Sequence, residues 1–163
     1  MPSAAQPVRS PEPDLVPLDG VRNRLAGLWF LGAVLIVGIV VLQSLLGKYG
    51  DRTENAWEWL LPTIMPTIGM IVSVLGYSAL DPTASRFTVK KSFYRIAVYL
   101  SVFYQFLVLL TILVQPVVGT DPIELMHTSN LWLGPIQGVV ASALGVLFVS
   151  SKPKAAADQP AEP

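Results

Sequence analysis

The chain has 163 residues, of which 52% are hydrophobic and 13% are charged, and its formal net charge is zero. Soluble domains carry about 25% charged residues, so this composition indicates a protein whose solvent is lipid. The lack of cysteine excludes disulfides, thiolate nucleophiles and Cys-ligated zinc, and the single histidine excludes a multi-histidine metal site within one chain.

The chain begins with a polar, proline-rich segment, residues 1–19. Such a segment cannot bury enough apolar surface to fold alone, so we expect a disordered tail. Asp19 is a suitable N-cap for a helix that begins near Gly20. A second short tail, residues 152–163, contains mainly Lys, Pro, Ala and acidic residues and is also expected to be disordered.

Four uncharged runs of 23, 22, 25 and 24 residues lie between these tails. A helix rises about 1.5 Å per residue, so each run reaches at least roughly 33 Å and can cross a hydrocarbon core about 30 Å thick. We therefore predict an all-α integral membrane bundle of four transmembrane helices in one domain, residues 20–151. The predicted helices cover residues 21–46, 55–80, 92–118 and 129–150.

The first predicted helix has no polar side chain on any face between Leu28 and Leu42. Helices that are hydrophobic all round belong to membranes or to very large cores, which argues against a soluble four-helix bundle. We interpret this helix as a plain lipid-facing anchor. No Asp, Glu, Lys, Arg or His lies inside any of the four uncharged runs, whereas proton-coupled transporters and pumps generally need such a residue.

The second predicted helix contains Pro62 and Pro66, one turn apart. Each proline removes a backbone hydrogen bond to the carbonyl four residues earlier, here Glu58 and Pro62. Thr63 and Thr67 could satisfy freed backbone groups. The segment is either a kink that shapes the packing or a surface of exposed carbonyls that lines a cavity or pore mouth.

Intramembrane polar residues form the remaining part of that candidate lining. Buried amides need hydrogen-bond partners, so they indicate either bonds between helices or a polar cavity open to one side. The candidate cavity- or pore-lining residues are Pro62, Thr63, Pro66, Thr67, Gln115, Asn130 and Gln137.

Small residues recur at helical spacing on the second and fourth predicted helices. Such stripes let helix backbones approach closely, either inside one chain or between copies in a homo-oligomer. We predict packing within the chain, with the homo-oligomer as the alternative. The residues of these stripes are Gly69, Ser73, Gly76, Gly134, Gly138, Ser142 and Gly145.

The loop between the second and third helices carries Arg86, Lys90, Lys91 and Arg95, with aromatic and apolar residues between them. Its composition suits anionic lipid headgroups, docking of a protein partner, or simply the selection of topology. Four charges on a short tethered loop do not indicate nucleic-acid binding.

The distribution of Lys and Arg predicts the orientation. With the N-terminus inside, nine of these residues are cytoplasmic and two, Lys48 and Arg52, are outside. The positive-inside rule therefore favours both termini in the cytoplasm, and we expect a bacterial cytoplasmic membrane.

No phosphate-binding loop, nucleophile–base pair or metal cluster is recognisable, so we expect neither an enzyme nor a cofactor. We predict a non-catalytic multi-pass membrane protein that anchors or regulates a partner. The alternative is a small oligomeric pore or channel lined by the kinked second helix and the fourth helix. The expected partners are the lipid bilayer and either another protein or further copies of the chain.

Overall fold

The computed structural model describes residues 14–80 and 88–149. These residues form four long α-helices, each long and apolar enough to cross a membrane, so the predicted all-helical architecture of four candidate spans is confirmed. The described elements are β1 (Leu15–Pro17), α1 (Leu18–Leu45), a 3₁₀ turn (Gly50–Arg52), α2 (Thr53–Leu80), β2 (Thr88–Lys90), α3 (Lys91–Val114) and α4 (Pro122–Val149).

The helices pack in a square in which α1 contacts α2 and α3, and α4 also contacts α2 and α3. Helices α2 and α3 therefore face each other across one diagonal. The start of α1 lies beside the end of α4, and we call this the terminal end of the bundle. The starts of α2 and α4 meet at the opposite end, which we call the loop end.

The interior is a column of large apolar side chains from all four helices. Fully buried examples are Trp29, Leu60, Ile71, Tyr104, Leu133 and Leu144. Large apolar residues also cover much of the outer surface, for example Leu31, Val72 and Leu131. An apolar surface together with an apolar interior is the pattern of helices that are surrounded by lipid.

The turn after α1 ends the helix through glycine. Gly47 has φ of +70°, a left-handed conformation that a side chain would strain. The Gly47 N–H donates to the Ser44 carbonyl and the Lys48 N–H to the Gln43 carbonyl, each at 3.0 Å. These two bonds form a Schellman motif, which satisfies carbonyls that have no partner within the helix.

Helix α4 begins at Pro122, seven residues before the predicted start at residue 129. The Asp121 Oδ1 atom accepts hydrogen bonds from the backbone N–H groups of Ile123 and Glu124, at 2.9 and 3.3 Å. Asp121 is therefore the N-cap, and Pro122 occupies the first helical position, where proline is favoured. Helix α3 ends at Val114 rather than at residue 118, because Pro116 lacks the N–H that would continue the ladder.

The predicted disordered tail of residues 1–19 is wrong for its last six residues. Residues Leu15–Pro17 pair with Thr88–Lys90 in an antiparallel two-stranded ribbon, so main-chain hydrogen bonds hold this segment against the start of α3. Helix α1 begins at Leu18 with Pro17 as its N-cap and no side-chain cap bond. Asp19 thus lies inside the first turn, not at the cap position. Residues 1–13 and 152–163 lie outside the described part of the chain.

The expectation that α1 is a plain lipid-facing anchor is also wrong. Its first half packs inward, and Arg22, Leu25 and Trp29 are each 1% exposed or less. Farther along α1, the side chain of Gln105 from α3 lies directly over Gly32. The Gln105 amide reaches the Leu28 carbonyl at 3.4 Å, so α1 contacts α3 through a polar group as well.

Candidate functional site

The seven predicted lining residues do not share one surface. Thr63, Thr67 and Gln115 are buried inside the bundle, at 5%, 2% and 3% exposure. Pro62, Pro66 and Asn130 face outward on the same chain, and Gln137 lies half-buried between these two groups. Within one chain, therefore, no single lumen is lined by all seven.

Pro66 leaves the Pro62 carbonyl of α2 without its usual helical donor, and α4 supplies a donor instead. Helix α2 stays continuous from Thr53 to Leu80, and Pro66 cannot donate to the Pro62 carbonyl. The Gln137 Nε2 atom on α4 donates to the carbonyls of Pro62 and Thr63, at 3.3 and 3.1 Å. The Tyr104 hydroxyl on α3 also donates to the Thr63 carbonyl, at 2.8 Å. This site is therefore a set of interhelical hydrogen bonds that ties α2 to its neighbour α4 and, across the diagonal, to α3.

A second interhelical bond lies one turn nearer the loop end. The Trp59 indole N–H donates to the Ser129 hydroxyl at 3.0 Å, and that hydroxyl donates to the Met126 carbonyl at 2.6 Å. Both side chains are buried, at 2% and 0% exposure. Thr63 meanwhile donates to the Trp59 carbonyl within its own helix, at 2.6 Å. These groups are satisfied internally, as buried polar groups generally are.

At the loop end, the connection between α1 and α2 is held by a buried tyrosine. The Tyr49 hydroxyl donates to the Gln43 side-chain oxygen. Burial raises the pKa of the Tyr49 phenol to about 12, because it disfavours the charged form. Tyr49 is therefore neutral at physiological pH and contributes a hydrogen-bonding group, not a charge.

An exposed ion pair joins the same end. Arg52 of the 3₁₀ turn bonds the Asp121 carboxylate, which also caps α4. The Arg52 guanidinium and the backbone N–H groups of α4 lower the pKa of this carboxyl, while desolvation opposes them. The pair links the starts of α2 and α4 but lies at the surface, where ion pairs contribute little stability.

The small-residue stripes face outward, which corrects the prediction that they mediate packing within the chain. Six of the seven residues are exposed, and Gly145 is half-buried. A Cβ atom added at any of the five stripe glycines would meet nothing within 4 Å. The two stripe serines donate to carbonyls of their own helices, each at 2.8 Å. The stripes make no close helix contact inside the chain, and the homo-oligomeric contact stays a prediction.

The predicted basic loop becomes a basic face at the terminal end. We use this name for Lys90, Lys91, Ser92 and Arg95, which line a shallow surface pocket together with Asp14. The Lys91 ammonium pairs with the Asp14 carboxylate at 2.9 Å, and the Lys91 N–H donates to the Asp14 carbonyl at 3.0 Å. Lys90 lies in β2 and Arg95 in the second turn of α3, so the run is not one helix. Arg86 lies outside the described residues.

Sequence reasoning missed a buried arginine at the terminal end. Arg22 is 1% exposed, and its Nε and Nη2 atoms donate to the carbonyls of Leu147 and Phe148, at 3.1 and 2.9 Å. These carbonyls belong to the last turn of α4, where a helix lacks internal donors and favours positive charge. The spacing of Leu18, Val21, Arg22 and Leu25 was a usable signal, because it places the arginine on the apolar stripe.

Within the described ranges, no group of three or more His, Asp or Glu side chains could hold a metal ion. Comparison with known proteins supplies no relative, because no family model, curated protein or solved structure matches the chain. Any functional assignment must therefore come from the polar contacts and surfaces described above.

Proposed function

We propose that this protein is a non-catalytic multi-pass membrane protein that anchors or regulates a partner protein at the cytoplasmic membrane of a bacterium. Both termini and the basic face then lie in the cytoplasm. The observation that carries the proposal is the basic face, where the side chains of Lys90 and Arg95 are exposed and have no ion-pair partner among the described residues.

The charge distribution of the bundle supports a cytoplasmic partner with an acidic segment. In the described part of the chain, the terminal end holds five Lys and Arg residues against two acidic residues. The loop end holds two against five. A one-sided charge of this kind attracts partners of opposite sign and agrees with the positive-inside rule.

Asp14 illustrates how the basic face can hold a carboxylate. Its side chain binds Lys91, while its backbone carbonyl accepts the Lys91 N–H. The ribbon of β1 and β2 holds the start of α3 in place before any partner arrives. A surface that is already ordered loses less conformational entropy on binding, which favours association.

Co-purification tests the proposal. The protein is extracted gently from its native membrane, and a stoichiometric partner is expected to accompany it. The double variant Lys90→Gln/Arg95→Gln should lose that partner. Arg24→Gln, which removes an exposed charge from α1 at the same end, should retain it. A partner that binds the double variant as well as the wild type would contradict the role of the basic face.

The alternative is a small oligomeric pore, and one observation favours it. The outer surface of the chain includes Pro62, Pro66 and Asn130. The Asn130 amide has no hydrogen-bond partner there among the described residues, and it could face a lumen between copies. In that case, purified protein should release dye from loaded liposomes, and Asn130→Leu should change the leak. Liposomes that stay tight, together with a co-purifying partner, would favour the anchoring function.

A further inference from the structure

The centre of the bundle contains three buried polar groups without a hydrogen-bond partner in residues 14–80 and 88–149. They are the Trp29 indole Nε1, the Thr67 Oγ1 and the Ser101 Oγ. The three residues are 1%, 2% and 0% exposed. Folded proteins leave very few buried polar side-chain atoms unpaired, so three such atoms in one bundle require an explanation.

The three groups lie at the same depth. Trp29 is eleven residues from the start of α1, Ser101 is ten from the start of α3, and Thr67 is thirteen from the end of α2. At about 1.5 Å per residue, these positions are roughly 15–20 Å from the terminal end of the bundle. Three helices thus bring one polar group each to the same level.

Contacts one turn nearer the loop end link the three helices that carry these groups. The rings of Trp29 and Tyr104 lie 5.9 Å apart, and the Tyr104 hydroxyl reaches across the bundle to the Thr63 carbonyl. Ser101 is one turn from Tyr104 on the buried face of α3, and Thr67 is one turn from Thr63 on the buried face of α2. Both steps run toward the terminal end, so each hydroxyl lies in the core one turn beyond the bond between Tyr104 and Thr63.

The two hydroxyls belong to helices that lie across the bundle from each other. Helices α2 and α3 are diagonal in the square and make little direct backbone contact. Both side chains are short, and neither hydroxyl bonds its own helix, although Thr63 and Thr111 do. A polar site of this kind, with two to four partners, is where buried water is found in proteins.

We propose that Trp29, Thr67 and Ser101 form an internal water-binding site at the centre of the bundle. The indole N–H can only donate, whereas each hydroxyl can donate and accept, so one water oxygen can accept from Trp29 and bond both hydroxyls. The site takes a neutral, water-sized ligand, because no charged side chain among the described residues lies at this level of the core to bind an ion. The bound water links α1, α2 and α3, and this role is independent of the basic face and of any partner.

Magnetisation transfer from water tests the site directly. The ¹⁵N-labelled protein is placed in lipid nanodiscs, and the Trp29 indole resonance is assigned by its loss in Trp29→Phe. We expect a cross-peak between water and this indole proton, with the sign of a dipolar contact, not of chemical exchange. The double variant Thr67→Val/Ser101→Ala should lose the cross-peak.

Thr111→Val is the matched control. Thr111 is 5% exposed, and its hydroxyl donates to the Leu107 carbonyl of its own helix at 2.9 Å, so the substitution is isosteric but removes no group from the site. The control should keep the cross-peak. A wild-type protein without the cross-peak, or a double variant that retains it, would overturn the proposal.

Equilibrium unfolding gives a second test, because removing the Thr67 hydroxyl changes stability in opposite directions with and without a bound water. If water bonds the Thr67 hydroxyl, Thr67→Val removes about one net hydrogen bond and lowers the ratio of folded to unfolded protein about five-fold. If the hydroxyl is buried without a partner, the same substitution raises that ratio. Ser101→Ala must change the ratio in the same direction, and an increase in either variant contradicts a bound water.

Discussion

The buried arginine at the terminal end leads to a large expected effect of a single substitution on stability. In Arg22→Gln, the shorter neutral side chain cannot reach both the Leu147 and Phe148 carbonyls, which lie 3.1 and 2.9 Å from the guanidinium nitrogens. Hydrogen bonds to charged groups contribute about 1.5–3 kcal/mol each, and removing one partner leaves buried acceptors unsatisfied. We expect the free energy of unfolding to fall by about 3–5 kcal/mol.

The measurement is an equilibrium titration of the purified protein with a denaturing detergent, followed by tryptophan fluorescence. Arg24→Gln is the control, because Arg24 is exposed two residues farther along the same helix and should change the free energy by less than about 0.5 kcal/mol. Arg22→Lys keeps the charge but lacks the planar fork of guanidinium donors, so an intermediate loss is expected. Equal stabilities of Arg22→Gln and Arg24→Gln would refute the role assigned to Arg22.

Two further predictions concern a glycine contact and an ion pair. A Cβ atom at Gly32 would lie 2.1 Å from the Gln105 Oε1 atom, whereas one at Gly38 would meet nothing within 4 Å. Gly38→Ala should therefore stabilise α1 by about 1 kcal/mol, whereas Gly32→Ala should not. Adding Gln105→Ala to Gly32→Ala should remove the clash and restore the gain. Equal unfolding free energies of the two single variants would contradict this prediction. The second concerns pH: because Arg52 lowers the folded-state pKa of Asp121, their pair stabilises the fold above about pH 4, and this contribution is lost as the pH falls through the lowered pKa. Unfolding titrations between pH 6 and about pH 2 should show a smaller loss in Arg52→Gln than in the wild type, because only the backbone N–H groups of α4 then lower the pKa of Asp121. An identical pH profile for the two would exclude the linkage.

The four helices could be predicted because hydrocarbon imposes a simple requirement on the chain. Runs of 22 to 25 residues without charge are long enough to cross it, and most of each run lies in one continuous helix. The helix ends were harder to predict. Residues 122–127 include Glu124 and His127 and precede the uncharged run, yet they belong to α4, because the Asp121 cap allows the helix to begin there.

The same reliance on charge hid Arg22. The first apolar run was measured from Arg24, so Arg22 was counted only among the nine cytoplasmic basic residues. Charge marks a boundary only if the side chain reaches water or headgroups, and Arg22 instead finds its partners in the last turn of α4. The ribbon was missed because strands of three residues, one containing Pro17, carry too little pattern to be recognised.

The chemistry of the candidate site could be predicted from the sequence, but which of its residues lie together could not. The freed Pro62 carbonyl and the need of Gln137 for a partner followed from proline and amide chemistry, and the structure joins the two. The direction of each face did not follow, because lipid-facing and core-facing surfaces are both apolar. The stripe from Gly134 to Ser142 was therefore expected to pack against other helices of the chain, but it lies on the outer surface of the bundle.

The central claim is that this four-pass membrane protein presents its basic face to the cytoplasm. Labelling of single introduced cysteines tests it most directly. The chain has no cysteine, so one can be introduced without background at Asp51, in the loop end, or at Ser92, in the basic face. Both positions are exposed. In intact cells, an impermeant maleimide should label Asp51→Cys and should label Ser92→Cys only after the membrane is opened. Labelling of Ser92→Cys in intact cells would contradict the account, and so would failure to label Asp51→Cys.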